Sequence, residues 1–397
     1  FFTFFPTCVN ADLTKDVGMI PFVLYRDFAY DSYVVCYRNG DYPRLETDVP
    51  GLKLSFIDRH MPHFLRRIVG PLVISNPILA TMLELPFTVL DSLPTILLRR
   101  RQIEVLHLMH LKAESLLIGL IYRLLNRKGI VYMKLDVQAG FTKSCESRIA
   151  RFLSIVTYVP FKIISPALIS IETKALYEFA RTGHPLLRRF ADRLTHLPNG
   201  VDAAKLRPLI RDFRDKDDII LHAARMGSYQ KASEIVLQAF ASVHSEFPDW
   251  KLVLIGAMTS DFESYLRGVL ESDRELKKKV SSVGYMDGPA ATLYGHYARA
   301  KVLIFPSRFE GFALVPLEAG FFGDVLLASD IPSTRDVTEN GSLACLCPID
   351  DIQCFIEGLR YLLSHRGYLE EKSRSIAAFV EENFDWKKIC GVLHERI

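Results

Sequence analysis

The stretch Phe305-Pro306-Ser307-Arg308-Phe309-Glu310-Gly311-Phe312-Ala313-Leu314-Val315-Pro316-Leu317-Glu318-Ala319 reads as the end of a strand, a loop, and a helix that begins near Ala313. It continues one apolar run, 301–306, and precedes another, 325–329. Moving outward, 218–225 and 251–256 are also strand-like. Helices are expected over 233–244, where Val236, Ala239, Phe240 and Val243 fall on one stripe, and over 290–300 and 351–365. Near-continuous apolar strands separated by helices mean a parallel sheet covered on both faces, a doubly wound α/β domain.

The first half repeats the alternation less clearly, with strands expected at 3–5, 32–37, 105–109, 130–135 and 161–165. A chain of 397 residues has room for two such domains. Pro198-Asn199-Gly200-Val201-Asp202 is a turn-forming sequence between them. The expected division is therefore a first domain over 1–200, a second over 201–375, and a terminal helical segment, 376–397, returning to the first. With 24% charged and 49% hydrophobic residues the chain is not disordered, and it holds no apolar run long enough to span a membrane. Seven scattered cysteines make no disulfide framework and suggest a reduced, cytoplasmic chain, with Cys345 and Cys347 lacking a second pair for zinc.

Chemistry concentrates at two places in the second half. A loop entering a helix offers backbone N–H groups and a positive dipole end to an anion, and Gly311 lets a ligand approach the backbone. A carboxylate such as Glu318 can accept both hydroxyl protons of a ribose, while Glu310 at the loop can hold sugar hydroxyls or stabilise a cationic sugar. Arg225 and Lys231, six residues apart across Gly227 at the end of 218–225, can both reach one diphosphate. Both places lie at carboxyl ends of strands, where open α/β sheets bind ligands.

The 305–319 stretch resembles the Glu-x7-Glu signature of GT-B glycosyltransferases, in particular retaining family 4, with Ala313 where glycine is usual. The segment from Arg225 to Lys231 resembles that family's Gly-Arg-x-x-x-x-Lys, with His222 and Ala224 replacing more usual residues. Similarity extends through 253–256, 329–333 and 197–202. The resemblance implies a GT-B fold of two Rossmann-like domains facing a cleft. It also implies transfer of a sugar, with retention, from a nucleoside-diphosphate-sugar to an acceptor hydroxyl in polysaccharide or glycolipid assembly. Implied catalytic residues are Glu310, Arg225 and Lys231. Implied donor contacts are these with Gly311, Phe312, Ala313, Leu314 and Glu318. No cofactor or metal is expected, because cations and the helix end can supply the positive charge. The rival readings are a sugar phosphorylase or epimerase on the same fold, and a catalytically silent scaffold.

In the first half, Lys15, Asp16 and Gly18 follow the first strand and open a helix, as the family's glycine-containing loop does. Asp136 ends the strand 130–135 where many relatives have histidine, and His110 at the end of 105–109 is a further acceptor-side candidate. Of the histidine pairs His60/His63 and His107/His110, the second lies on or just after a strand, where three-residue spacing points the rings to opposite faces, and no metal site is expected. Residues 1–200 carry 25 Lys and Arg against 17 Asp and Glu, and 201–397 carry 24 against 29. The segment 59–101, with His60, His63, Arg66, Arg67 and Arg99-Arg100-Arg101 among many apolar residues, can lie on an anionic membrane surface; the favoured alternative is helices packed on their own sheet with arginines outward. The expected partners are a nucleotide-sugar, a glycan or lipid-linked acceptor, and an anionic membrane at the inner face of the cell, with no nucleic acid.

Overall fold

The structure, a computed structural model, describes residues 1–75, 77–136, 157–286 and 290–397. Its contacts fall into two compact units, Phe1–Leu197 with Ile389–Ile397, and Pro198–Lys388.

The first unit is built on seven strands: β1 (Phe2–Phe4), β2 (Tyr33–Tyr37), β3 (Lys53–Ile57), β4 (Val105–Met109), β5 (Ile130–Leu135), β6 (Leu168–Ile171) and β7 (Leu194–His196). They are ordered β3-β2-β1-β4-β5-β6-β7, all parallel. One face of the sheet is an apolar core with Phe4, Leu106, Met133 and Ile169. The other carries a buried polar row. Thr3 Oγ1 hydrogen-bonds His107 Nδ1 at 3.0 Å, the His107 ring stacks on Tyr132, and the Tyr132 hydroxyl meets Ser170 Oγ at 2.8 Å.

The second unit holds β8 (Ile219–Ala223), β9 (Lys251–Ile255), β10 (Val280–Gly284), β11 (Val302–Phe305), β12 (Val325–Ser329) and β13 (Ala344–Cys347), again all parallel, ordered β10-β9-β8-β11-β12-β13. Strand order reverses direction between β1 and β4 in one sheet and between β8 and β11 in the other. These are the switch points at which loops splay apart and leave room for a ligand. The helix Leu314–Phe321 buries Leu317 and Phe321, and its Gly320 comes so close to the helix Arg366–Asn383 that an added Cβ would lie 3.2 Å from Val380. Truncating a side chain such as Leu317 at this contact would cost about 2–5 kcal/mol.

Four expectations are corrected. Residues 157–164 are helical, with Phe161 and Ile164 buried one turn apart, and the strand expected at 161–165 is instead β6. A short apolar run fits helix and strand alike. The return to the first unit starts later than 376: Ile376 and Val380 belong to the second unit's core, and the crossing falls within the helix Trp386–His394. There His394 Nδ1 meets the Tyr30 hydroxyl at 2.9 Å, and Arg396 donates to Thr195 Oγ1 at 2.6 Å. The division between units falls after Leu197 rather than Gly200. The cysteines are not all reduced, since Cys347 at the end of β13 and Cys354 in the helix Ile352–Ser364 form a disulfide, with Cα atoms 5.7 Å apart.

Candidate functional site

In the second unit, the loop after β8 and the loop after β11 emerge side by side because their strands are neighbours. Tight backbone contacts fix the first loop. Gly256, at the end of β9, has φ +129° and packs so closely on the Ala224 carbonyl that an added Cβ would lie 1.9 Å from its oxygen. Gly227 has φ +85° and abuts the Thr259 hydroxyl. His222, buried in β8, sits between Ile304 O of β11 at 3.0 Å and Ser233 Oγ of the next helix at 2.8 Å. Burial pushes its imidazole down to about 4, so it is neutral, donating from Nδ1 to the carbonyl and accepting at Nε2 from Ser233.

Side chains then join the loops. Lys231 Nζ lies 2.5 Å from Glu310 Oε1, while Gln230 Nε2 donates to Glu310 Oε2 at 3.0 Å and to Phe309 O at 2.9 Å. Arg308 is the clamp. It donates from Nη1 to Tyr229 O at 2.5 Å, from Nη2 to Glu234 at 2.9 Å and from Nε to Asp350 at 2.7 Å, and its guanidinium lies 4.3 Å over the Tyr229 ring. The Arg308 N–H adds a bond to Gln230 O at 2.8 Å. Arg225 lies exposed at the rim, with no side-chain ion pair among the described residues.

Beyond this loop, Ala313 precedes the helix Leu314–Phe321 without offering a side-chain cap, which leaves its opening turn to an anion. Phe312 and Ala313 are buried, Leu314 half-buried. Glu318, one turn into the helix, is half-buried and accepts from the Tyr297 hydroxyl at 3.3 Å. Burial pushes its carboxyl up to about 7 against the pull of that bond. Tyr297 is itself fixed by Lys216, whose ammonium reaches Tyr297 O at 3.3 Å and Asp324 at 2.6 Å. Ser307, buried in the same loop, has a hydroxyl without a partner among the described residues.

Thus Arg225, Lys231, Glu310, Gly311, Phe312, Ala313, Leu314 and Glu318 all lie on two adjacent loops and the helix that follows one of them. Sequence reading did not single out Arg308, Gln230 or Tyr297, whose partners are distant in sequence. Cations on one loop and a carboxylate on the helix after the neighbouring loop are the residue types that suit a diphosphate and a diol.

The first unit's candidates also gather at its switch point. Asp16 opens the helix Asp16–Phe28 after β1, His110 follows β4 and Asp136 follows β5. His110 takes φ +63° and donates its backbone N–H to Lys134 O at 2.8 Å. Burial lowers its imidazole's affinity for a proton, partly offset by Asp136 and Asp16. Gly18 is buried, and an added Cβ would lie 2.2 Å from Leu13 O. Lys15 is exposed and paired with Asp12 at 3.0 Å. A buried lysine not singled out beforehand, Lys134, lies 3.0 Å from Glu172 and 3.8 Å from Asp16. The two carboxylates hold its ammonium charged. Among the described residues no three His, Cys, Asp or Glu side chains are grouped to hold a metal.

Residues 217–365 match the family described as glycosyl transferases group 1. Over its whole length the chain superposes on the crystal structure of Anabaena Alr3699/HepE in complex with UDP and glucose, with a TM-score of 0.69 and 14% identity, covering 99% of this chain and 98% of that one. The fold is GT-B. Among curated proteins, the chain is 26% identical over 197 residues to glycogen synthase of Mycobacterium tuberculosis, covering 50% of this chain and 46% of that protein. It is 25% identical over 202 residues to the phosphatidyl-myo-inositol mannosyltransferase of Mycolicibacterium smegmatis, covering 49% of each. The chain spans about half the length of these curated relatives. In this GT-B fold the family match covers the second unit's sheet, including both loops that carry the candidate donor residues.

Proposed function

We propose that this protein is a retaining glycosyltransferase of family 4 type, which moves a sugar from a nucleoside-diphosphate-sugar to an acceptor hydroxyl in glycan or glycolipid assembly. The observation that carries the reading is the contact of Lys231 with Glu310 between the loops that follow β8 and β11 at the switch point, with Arg225 on the first loop and Glu318 on the helix that follows the second. Arg225 and Lys231 take the diphosphate, whose charge grows as the sugar leaves. The opening turn of the helix Leu314–Phe321 adds its dipole, and Gly311, Phe312, Ala313 and Leu314 supply the backbone against which the donor rests. Glu318 holds the ribose and Glu310 the sugar. In this reading the positive charge comes from these side chains and the reaction uses no resident metal.

The first unit, with Asp16, His110 and Asp136 at its switch point, takes the acceptor, and its basic surface places the enzyme at the cytoplasmic face of an anionic membrane. The likeness to a glycogen synthase and to a phosphatidyl-myo-inositol mannosyltransferase supports a glycan or lipid acceptor. The test is calorimetric titration with a panel of nucleoside diphosphates and their sugars, followed by NMR of the released sugar in their presence. Binding without sugar transfer or hydrolysis would mean a silent scaffold. Turnover that requires free phosphate would mean a phosphorylase.

A further inference from the structure

The disulfide Cys347–Cys354 closes a ring of chain that reaches the clamp on the donor loop. Cys347 ends β13 and is buried, whereas Cys354, in the first turn of the helix Ile352–Ser364, is half-buried. Between them Pro348, Ile349, Asp350, Ile352 and Gln353 are exposed. Hydrogen bonds give the ring its shape. The Asp351 carboxylate caps the helix by accepting from Cys354 N–H at 3.0 Å, and Asp351 N–H donates to Pro348 O at 3.2 Å. Asp350 takes φ +63° and accepts from Arg308 Nε at 2.7 Å.

Two segments beside the candidate site hang on this ring. Arg308 also holds Tyr229 O and Glu234, so Asp350 anchors the guanidinium that clamps the loop after β8. The Cys347 carbonyl accepts from Asp330 N–H at 2.7 Å, which ties the loop after β12 to the same ring. A free cysteine lies close by. Cys345 Sγ is 3.0 Å from where a Cβ on Gly358 would stand, one helical turn beyond Cys354. Burial raises its thiol's affinity for a proton, which makes it a poor nucleophile. Cys354, by contrast, offers a half-buried sulfur under an exposed loop, open to an external thiolate.

We propose that Cys347–Cys354 is a thiol–disulfide exchange site, and that its redox state sets how firmly Asp350 and Arg308 hold the donor loop. The proposal rests on the glycosyltransferase reading, whose cytoplasmic setting is one where disulfides are usually transient and redox-sensing. The co-reactant is a dithiol. Its first thiolate attacks Cys354 Sγ, the S–S bond breaks, and the electron pair leaves on Cys347 Sγ, which takes up a proton. The second thiolate of the dithiol then attacks its own sulfur in the mixed disulfide. Cys354 leaves and is protonated in turn. The dithiol ends as a disulfide, and its two electrons and two protons end on Cys347 and Cys354. Without the cross-link, 348–353 opens more readily, Asp350 holds Arg308 less firmly, and the donor loop loosens.

The test reads the bond, the loop and the ligand separately. Peptide mass mapping after alkylation without denaturant is expected to find Cys347 linked to Cys354 in protein incubated with oxidised glutathione. Both should be alkylated after dithiothreitol, with the circular dichroism spectrum unchanged. Reduction should speed amide exchange about tenfold at 228–231 as well as at 348–353. It should also weaken affinity for a nucleoside diphosphate by about three- to tenfold. Cys354→Ser should behave as reduced protein and ignore dithiothreitol, Asp350→Asn should show the faster exchange at 228–231 in either redox state, and Cys345→Ser should respond as wild type. A bond that does not form, or that dithiothreitol opens only in denaturant, would overturn the proposal. So would exchange at 228–231 that is the same in both redox states, a response that survives in Cys354→Ser, or one lost in Cys345→Ser. Absence of nucleoside diphosphate binding in both states counts against the donor reading and leaves the exchange result standing. Binding with no redox effect on the loop counts against this proposal alone.

Discussion

Lys231 Nζ stands 2.5 Å from Glu310 Oε1, so the cation assigned to the donor diphosphate and the carboxylate assigned to its sugar are paired with each other. Both side chains are largely buried, which strengthens the contact relative to a surface pair. Under the proposed function, a diphosphate arriving at Lys231 would compete with Glu310 for one ammonium, and the pair would couple seating of the phosphate to release of the carboxylate toward the sugar.

Glu310→Gln removes the competing charge and keeps the shape. Affinity for a nucleoside diphosphate alone should hold or rise, up to about tenfold, because Lys231 is freed. Turnover should fall by about 10²–10³, the usual loss when one transition-state charge partner is removed. Calorimetry and initial rates on the same preparation check both, and weaker diphosphate binding in this variant would refute the coupling.

Arg308→Lys keeps the charge but cannot reproduce contacts to Tyr229, Glu234 and Asp350 from one fork. Donor affinity should drop roughly tenfold, with faster hydrogen exchange at 228–231. An unchanged exchange pattern would mean that the loop is held by its glycines instead.

The candidate donor residues could be grouped from the sequence because they are local: Glu310 and Glu318 lie on one strand–loop–helix passage, and Arg225 and Lys231 on one turn. Central strands were legible for a similar reason, since β11 and β12 are buried throughout and read as continuous apolar runs. Edge strands were not. β3 (Lys-Leu-Ser-Phe-Ile) and β10 (Val-Ser-Ser-Val-Gly) are half exposed and mix polar residues without clean alternation. Residues whose meaning depends on contact across the fold also left no sequence signal. Arg308 looks like any loop arginine until Asp350 and Glu234 come beside it, and Lys134 sits in a strand pattern that gives no hint of Glu172 just after the neighbouring strand.

His222→Ala should cost about 2–4 kcal/mol in urea unfolding, because Ile304 O and Ser233 Oγ lose a buried partner and a cavity opens behind the donor loop. Its folded-state pKa of about 4 lies below the ordinary 6.5. The unfolded chain therefore binds a proton first as pH falls, and the stability that His222 contributes is complete above 6.5 and lost toward 4. The wild-type excess over His222→Ala should shrink across that window, and a constant difference would show that the ring is not buried neutral.

Glu318 gives the opposite sign. Its carboxyl titrates at about 7 in the folded protein against an ordinary 4.5, so the folded state holds a proton that the unfolded chain has released. Stability should fall as pH rises from 4.5 to 7, by about 3 kcal/mol from this group if the shift is fully expressed. Asp324, pushed up to about 7 by burial, adds a slope of the same sign, so the contribution of Glu318 is read as the difference from Glu318→Gln. Donor binding should run the other way. The ionised carboxylate is the better acceptor for two ribose hydroxyls, so nucleoside diphosphate affinity should strengthen as pH passes through 7 and level off above 8. Glu318→Gln should bind about tenfold more weakly at high pH, with a flatter pH profile, because its amide cannot gain the charge. Calorimetry between about pH 5 and 9 on both proteins measures this. If the two profiles were parallel, the ribose contact would have to lie elsewhere than Glu318.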